Sequence, residues 1–94
     1  MNTPRRFRKK PAEITAIELL GTIDGCNRVL AWIGEHGGTA VRANRCNPAS
    51  GILITTLEGE MLASPGDFVI RGVAGEFYPC KPGIFAQTYE QLGQ

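Results

Sequence analysis

The stretch ILITTLEGEMLASPGDFVIRGVAGEFYPC, Ile52 to Cys80, decides the fold. Four short runs rich in β-branched, aliphatic and aromatic residues, ILITTL, EMLA, FVIRG and EFYPC, alternate with turn signals, the pattern of successive antiparallel strands. Glu58-Gly59 supplies a two-residue turn that closes a hairpin between the first two runs. Ser64-Pro65-Gly66-Asp67 fits a type II turn, because proline presets the first central residue and glycine accepts the positive φ of the second. Gly72 to Gly75 then reverses the chain before EFYPC.

Upstream, Ala12 to Leu20 (AEITAIELL) reads as a first strand. Ala12, Ile14 and Ala16 alternate with Glu13 and Thr15, while Ile17 and Leu19 have the opposite parity, which calls for two covered faces or a bulge. One helix stands out. Cys26, Val29, Leu30 and Ile33 recur at i, i+3, i+4 and i+7, a single apolar stripe. The spacing predicts a helix over Asp24 to His36, capped by Asp24 and ended by Gly37-Gly38, with Trp32 beside the stripe. Thr39 to Cys46 reads as a short strand, with Val41 and Ala43 on one side and Arg42 and Asn44 on the other, and Asn44 to Ser50 as a turn. Downstream, Lys81-Pro82 opens a short helical turn through Gln87, and Thr88 to Leu92 forms a last strand or a frayed end. The expected architecture is α+β: a bent antiparallel sheet or partial barrel of five to six short strands with one packed α-helix. Residues 11–94 form its single domain, and residues 1–10 a basic flexible arm.

Length and composition agree. Ninety-four residues suit one core, burying about 64% of the unfolded chain's surface. Twelve glycines and six prolines leave little room for a helical bundle, and no apolar run reaches the length of a membrane span. The net charge of +1 hides an asymmetry: five of ten basic residues lie within Arg5 to Lys10, leaving five against nine acidic groups elsewhere. An acidic body with a basic leader is not an ordinary nucleic-acid-binding domain. The arm reads as a solvated tail with, at most, weak and salt-sensitive attraction for nucleic acid. Cys26, Cys46 and Cys80 are odd in number and widely spaced, so they read as reduced thiols of a cytosolic protein. A zinc site would require all three to converge with His36, the only histidine.

The C-terminal half carries a long and unusual string: Thr56-Leu57-Glu58-Gly59, Pro65-Gly66-Asp67, Gly72-Val73, Gly75 to Pro82, Ile84-Phe85 and Thr88-Tyr89-Glu90, with Lys9-Lys10-Pro11 ahead of the first strand. In this it resembles a family of small uncharacterised bacteriophage and prophage proteins. Two positions depart from that pattern: Gly83 stands where aspartate is expected, and Ala74 where a basic residue is common. The resemblance implies a phage origin and action in the cytoplasm of the infected host.

No P-loop or GxGxxG is present, and the carboxylates Glu58, Glu60, Asp67 and Glu76 all sit beside turns, where solvated acids belong. Cys80 and His36 would form a nucleophilic pair only if the helix end met the last strand. No cofactor is implied. Binding suits the residues better. Arg71, Glu76, Tyr78 and Lys81, joined by Arg42 and Trp32, offer cations for phosphates, rings for stacking on bases, and a carboxylate for a hydroxyl or exocyclic amine. The alternative for each is structural: Phe77 and Phe85 as core, Tyr78 and Lys81 as rim, Arg71 balancing Glu76. By analogy with small phage sponges, the chain is expected to sequester a nucleotide immune messenger, a cyclic oligonucleotide or ADP-ribose derivative, as a homo-oligomer with pockets between subunits. The rival expectation is a protein-binding host-takeover or structural phage accessory protein.

Overall fold

The computed structural model describes residues 3–6 and 13–92. Residues 3–6, including Arg5 and Arg6, are exposed and outside regular structure; Arg8, Lys9, Lys10 and Pro11 lie outside the described residues. The element order is β1 (Thr15–Glu18), α1 (Ile23–Glu35), β2 (Ala40–Arg42), a 3-10 turn (Pro48–Ser50), β3 (Ile52–Thr56), β4 (Gly59–Ala63), β5 (Phe68–Arg71), β6 (Phe77–Cys80) and α2 (Pro82–Thr88).

The α+β expectation holds, with corrections to its detail. The six strands form two three-stranded antiparallel sheets, ordered β1-β5-β6 and β2-β3-β4. Among the described residues two α-helices are present where one was expected, because Pro82 starts a full helix that runs on to Thr88. No strand forms over Thr88 to Leu92. The strand expected over Thr39 to Cys46 shrinks to Ala40–Arg42, since Asn44 accepts from the Cys46 N–H and bends the chain into a turn.

Helix α1 begins one residue earlier than expected and is capped by Thr22, not Asp24. The Thr22 hydroxyl accepts the Gly25 N–H at 3.0 Å, while Asp24 sits within the first turn. Its end follows expectation: Gly37 has φ 83°, and the Gly38 and Gly37 N–H groups bond to the Ile33 and Gly34 carbonyls at 2.8 and 3.2 Å. That pair of bonds is a Schellman stop. A β-carbon at Gly38 would lie 2.6 Å from both Ile33 and Phe77, so only glycine lets the chain leave the helix over the core.

The apolar stripe buries Cys26, Val29 and Ile33 against Leu19, Ile52, Ile54, Ala63, Val69 and Phe77, with Leu30 and Trp32 at the edge. Burial of each large aliphatic side chain contributes roughly 1.5–3 kcal/mol. Both sheets turn one face to this core. In β5, Val69 faces it with Ile17 directly opposite, while Ile70, equally buried, points the other way beside Ala16 and Tyr78. The second face is where α2 lies, its Phe85 ring stacked on Phe68 at 4.0 Å and 6°. Two covered faces, without a bulge, explain the change of parity in the first strand.

The hairpin between β3 and β4 pairs Thr56 with Gly59, so its two-residue turn is Leu57-Glu58, one residue earlier than expected. The Ser64–Asp67 turn carries the chain from one sheet to the other. Gly66 has φ 95°, and the Asp67 N–H bonds to Ser64 O at 2.9 Å, as a type II turn requires.

Candidate binding site

The β5–β6 hairpin brings Arg71 and Glu76 to one end of the first sheet, but the other expected binding residues lie elsewhere. Arg71, opposite Phe77 on the core-side face, is half-buried; its Nε is buried and has no hydrogen-bond partner among the described residues. Glu76 does not form an ion pair with it among the described residues. Instead its carboxylate accepts the Ala74 N–H at 3.2 Å and closes over Gly72, where a β-carbon would lie 1.8 Å from Oε1. Glu76 thus shapes the turn. Ala74, lacking the basic side chain expected there, contributes its backbone.

Tyr78 follows Phe77 and therefore faces the opposite side of the sheet. Its hydroxyl lies 3.4 Å from that of Tyr89, and burial, followed by the Tyr89 hydrogen bond, pushes its ionisation well above the ordinary tyrosine range. Trp32 packs edge-on against Phe77, 5.3 Å between centroids at 85°, and against His36. Arg42 is in the other sheet and donates to Asn27 Oδ1 on α1. Lys81, beyond the far end of β6, is paired with Asp67 at 3.1 Å. Asp67 is only 4% exposed, and its Oδ2 also accepts the Ser64 N–H at 2.9 Å. The PGD and CKP segments are therefore joined through one carboxylate.

A different set of residues surrounds the larger hollow. A cleft of about 980 Å³ opens between β1 with its approach and the C-terminal end of α2, lined by Glu13, Thr15, Phe68, Phe85, Tyr89 and Glu90 among others. Phe68, Phe85 and Tyr89 form a continuous aromatic wall, with 4.0 and 5.0 Å between successive centroids. Glu13 and Glu90 add two exposed carboxylates. A smaller hollow of about 340 Å³ lies between the β3–β4 turn and β6, lined by Glu58, Met61, Glu76, Phe77 and Tyr78 among others. Neither hollow is lined by Arg42, Arg71, Lys81 or Trp32. The missed cleft residues had one available signal: Phe85 and Tyr89 are spaced i, i+4, which puts both rings on one side of a helix.

Among the described residues, no group of three His, Cys, Asp or Glu side chains is placed to hold a metal, and no helix is long and apolar enough to cross a membrane. The three cysteines are free. Burial, and next the Asp67 carboxylate, push the Cys80 thiol up, which disfavours the thiolate a nucleophile needs. Gly83 lies in the exposed first turn of α2 with nothing within 4 Å of a β-carbon there. No protein-family model, curated protein or solved structure matches this chain.

Proposed function

We propose that this is a non-enzymatic binding protein of a phage or prophage, acting in the host bacterial cytoplasm as a host-takeover or accessory factor. Its ligand is a cationic segment of another protein, held in the cleft between β1 and α2. One observation carries this reading: the cleft combines the Phe85 and Tyr89 rings with the Glu13 and Glu90 carboxylates, and among the described residues no lysine or arginine lines it. Carboxylates pair with guanidinium and ammonium groups, and ring faces attract the same cations. β1 is also an outer strand of its sheet, so an extended peptide can add main-chain hydrogen bonds beside the cleft. Among the described lining residues, a phosphate would meet only negative charge.

Nucleotide sequestration by a homo-oligomer is the second reading, and Arg71 favours it. Its half-buried guanidinium has an unpartnered Nε and no carboxylate partner among the described residues. A subunit interface at that end of the hairpin would bring such a cation to a phosphate.

One dialysis experiment separates the two. The protein is equilibrated with an arginine- and lysine-rich peptide and, separately, with a panel of cyclic oligonucleotides and ADP-ribose derivatives, and is then heat-denatured. Depletion of the peptide, weakened up to about fivefold by Glu13→Gln or Glu90→Gln and by added salt, supports the protein-binding reading. Depletion and intact recovery of a nucleotide without peptide binding overturns it in favour of sequestration. Conversion of any nucleotide to product overturns both.

A further inference from the structure

We propose that the free edge of β4 is a self-association site, where two copies of this chain pair antiparallel about a twofold axis at Met61. The surface is separate from the β1–α2 cleft.

β4 is an outer strand of the β2-β3-β4 sheet, and Glu60, Met61 and Leu62 are all exposed. The ladder to β3 fixes which backbone groups are free. A two-residue hairpin makes its closing residues, Thr56 and Gly59, a hydrogen-bonded pair; alternation then makes Ile54–Met61 and Ile52–Ala63 hydrogen-bonded as well. The N–H and C=O groups of Glu60 and Leu62 therefore point away from β3. None of these four groups has a hydrogen-bond partner among the described residues. The strand, GEMLA, contains no lysine or proline, the usual guards of an open edge.

The register selects a second copy as the occupant. An axis at Met61 sets Glu60 opposite Leu62 of the second copy, and Leu62 opposite its Glu60. Each pair exchanges two N–H···O bonds, so all four groups on each strand are satisfied and no two carboxylates stand directly opposed. Neighbouring registers fail. An axis at Glu60 opposes two carboxylates. An axis at Leu62 sets Glu60 against Ser64, whose N–H is held by the Asp67 carboxylate and whose carbonyl accepts the Asp67 N–H.

Side chains support the same pairing. Val41, Leu53 and Leu62 lie directly across from one another on the outer face of the sheet, with Val41 53% and Leu62 49% exposed. In the pair, the two Leu62 side chains become diagonal neighbours at roughly 7–8 Å, carrying this apolar row from one copy into the next, while the two exposed Glu60 side chains take the other diagonal. Two three-stranded sheets become one of six strands.

The test measures mass by sedimentation at loading concentrations from micromolar to about 1 mM, the range suited to a small interface. A concentration-dependent rise towards twice the 10.2 kDa chain mass is expected. In a Cys46→Ser background, Met61→Cys is expected to form a covalent dimer with oxidised glutathione, since directly opposed, non-hydrogen-bonded residues have β-carbons about 4.5–5.5 Å apart. Thr55→Cys, on the central strand, is expected not to crosslink. Leu62→Asp, which sets a carboxylate against Glu60 of the second copy, is expected to weaken the dimer roughly tenfold with an unchanged circular dichroism spectrum. A mass fixed at that of one chain throughout, or a dimer that Met61→Cys does not crosslink, overturns the proposal. The crosslinking result decides alone if Leu62→Asp fails to fold.

Discussion

Replacing Asp67 tests whether one buried carboxylate holds the sheet crossover to the start of α2. Its Oδ2 accepts the Ser64 N–H at 2.9 Å, and both oxygens lie within 3.2 Å of the Lys81 ammonium. A hydrogen bond to a charged group is worth about 1.5–3 kcal/mol. The Lys81 side chain is 63% exposed, so its pairing is screened and adds only about 0.2–1 kcal/mol. Asp67→Ala is therefore expected to cost roughly 2–4 kcal/mol. Lys81→Met should cost about 0.5 kcal/mol. Asp67→Asn, which can still accept from Ser64, falls between them. At a urea slope near 1.5 kcal/mol/M, a loss of about 3 kcal/mol lowers the unfolding midpoint by roughly 2 M. The double variant supplies the coupling: after Asp67→Ala, Lys81→Met should add almost nothing. An Asp67→Ala cost under about 0.5 kcal/mol, or full additivity with Lys81→Met, would refute the reasoning.

Thr22→Ala removes the acceptor for the Gly25 N–H and should destabilise the fold by about 1 kcal/mol in chemical denaturation, whereas Asp24→Ala should cost clearly less. The Tyr78 hydroxyl ionises above its ordinary value of 10.0 in the folded protein, so the folded state retains a proton that the unfolded chain releases. Stability should accordingly fall as pH rises above that ordinary value, and Tyr78→Phe should flatten the decline in alkaline unfolding curves. In thiol labelling of the native protein, exposed Cys46 should react first and Cys80, whose ionisation is pushed up, distinctly later. Equal rates would contradict the environment described for Cys80.

Much of this architecture is legible in local sequence patterns. The Cys26, Val29, Leu30, Ile33 stripe predicts the buried face of α1, and Pro65-Gly66 predicts the type II turn over Ser64 to Asp67, because each depends on spacing or backbone restriction within a few residues. The division into two sheets depends on which distant strands share hydrogen bonds, and alternation alone does not encode that choice. α2 was underestimated for a related reason: its helix is stabilised by Phe85 stacking on Phe68, a contact with another element. The candidate site was less legible still. Arg71, Glu76, Tyr78 and Lys81 are neighbours in sequence, but strand alternation sends Tyr78 to the opposite face, and Asp67 takes Lys81. Glu13 and Glu90 are far apart in sequence and meet at one cleft only through the fold.

The pairing of Thr15–Glu18 with Phe68–Arg71 has a consequence for synthesis on the ribosome. β1 emerges before β2, β3 and β4, yet its ladder waits until β5 has been translated, while β2, β3 and β4 can zip together with near neighbours as they appear. Closing that long loop is expected to be the slow event in folding. A nascent polypeptide halted before Phe68 would carry an orphan first strand, ready to adhere to whatever edge it met.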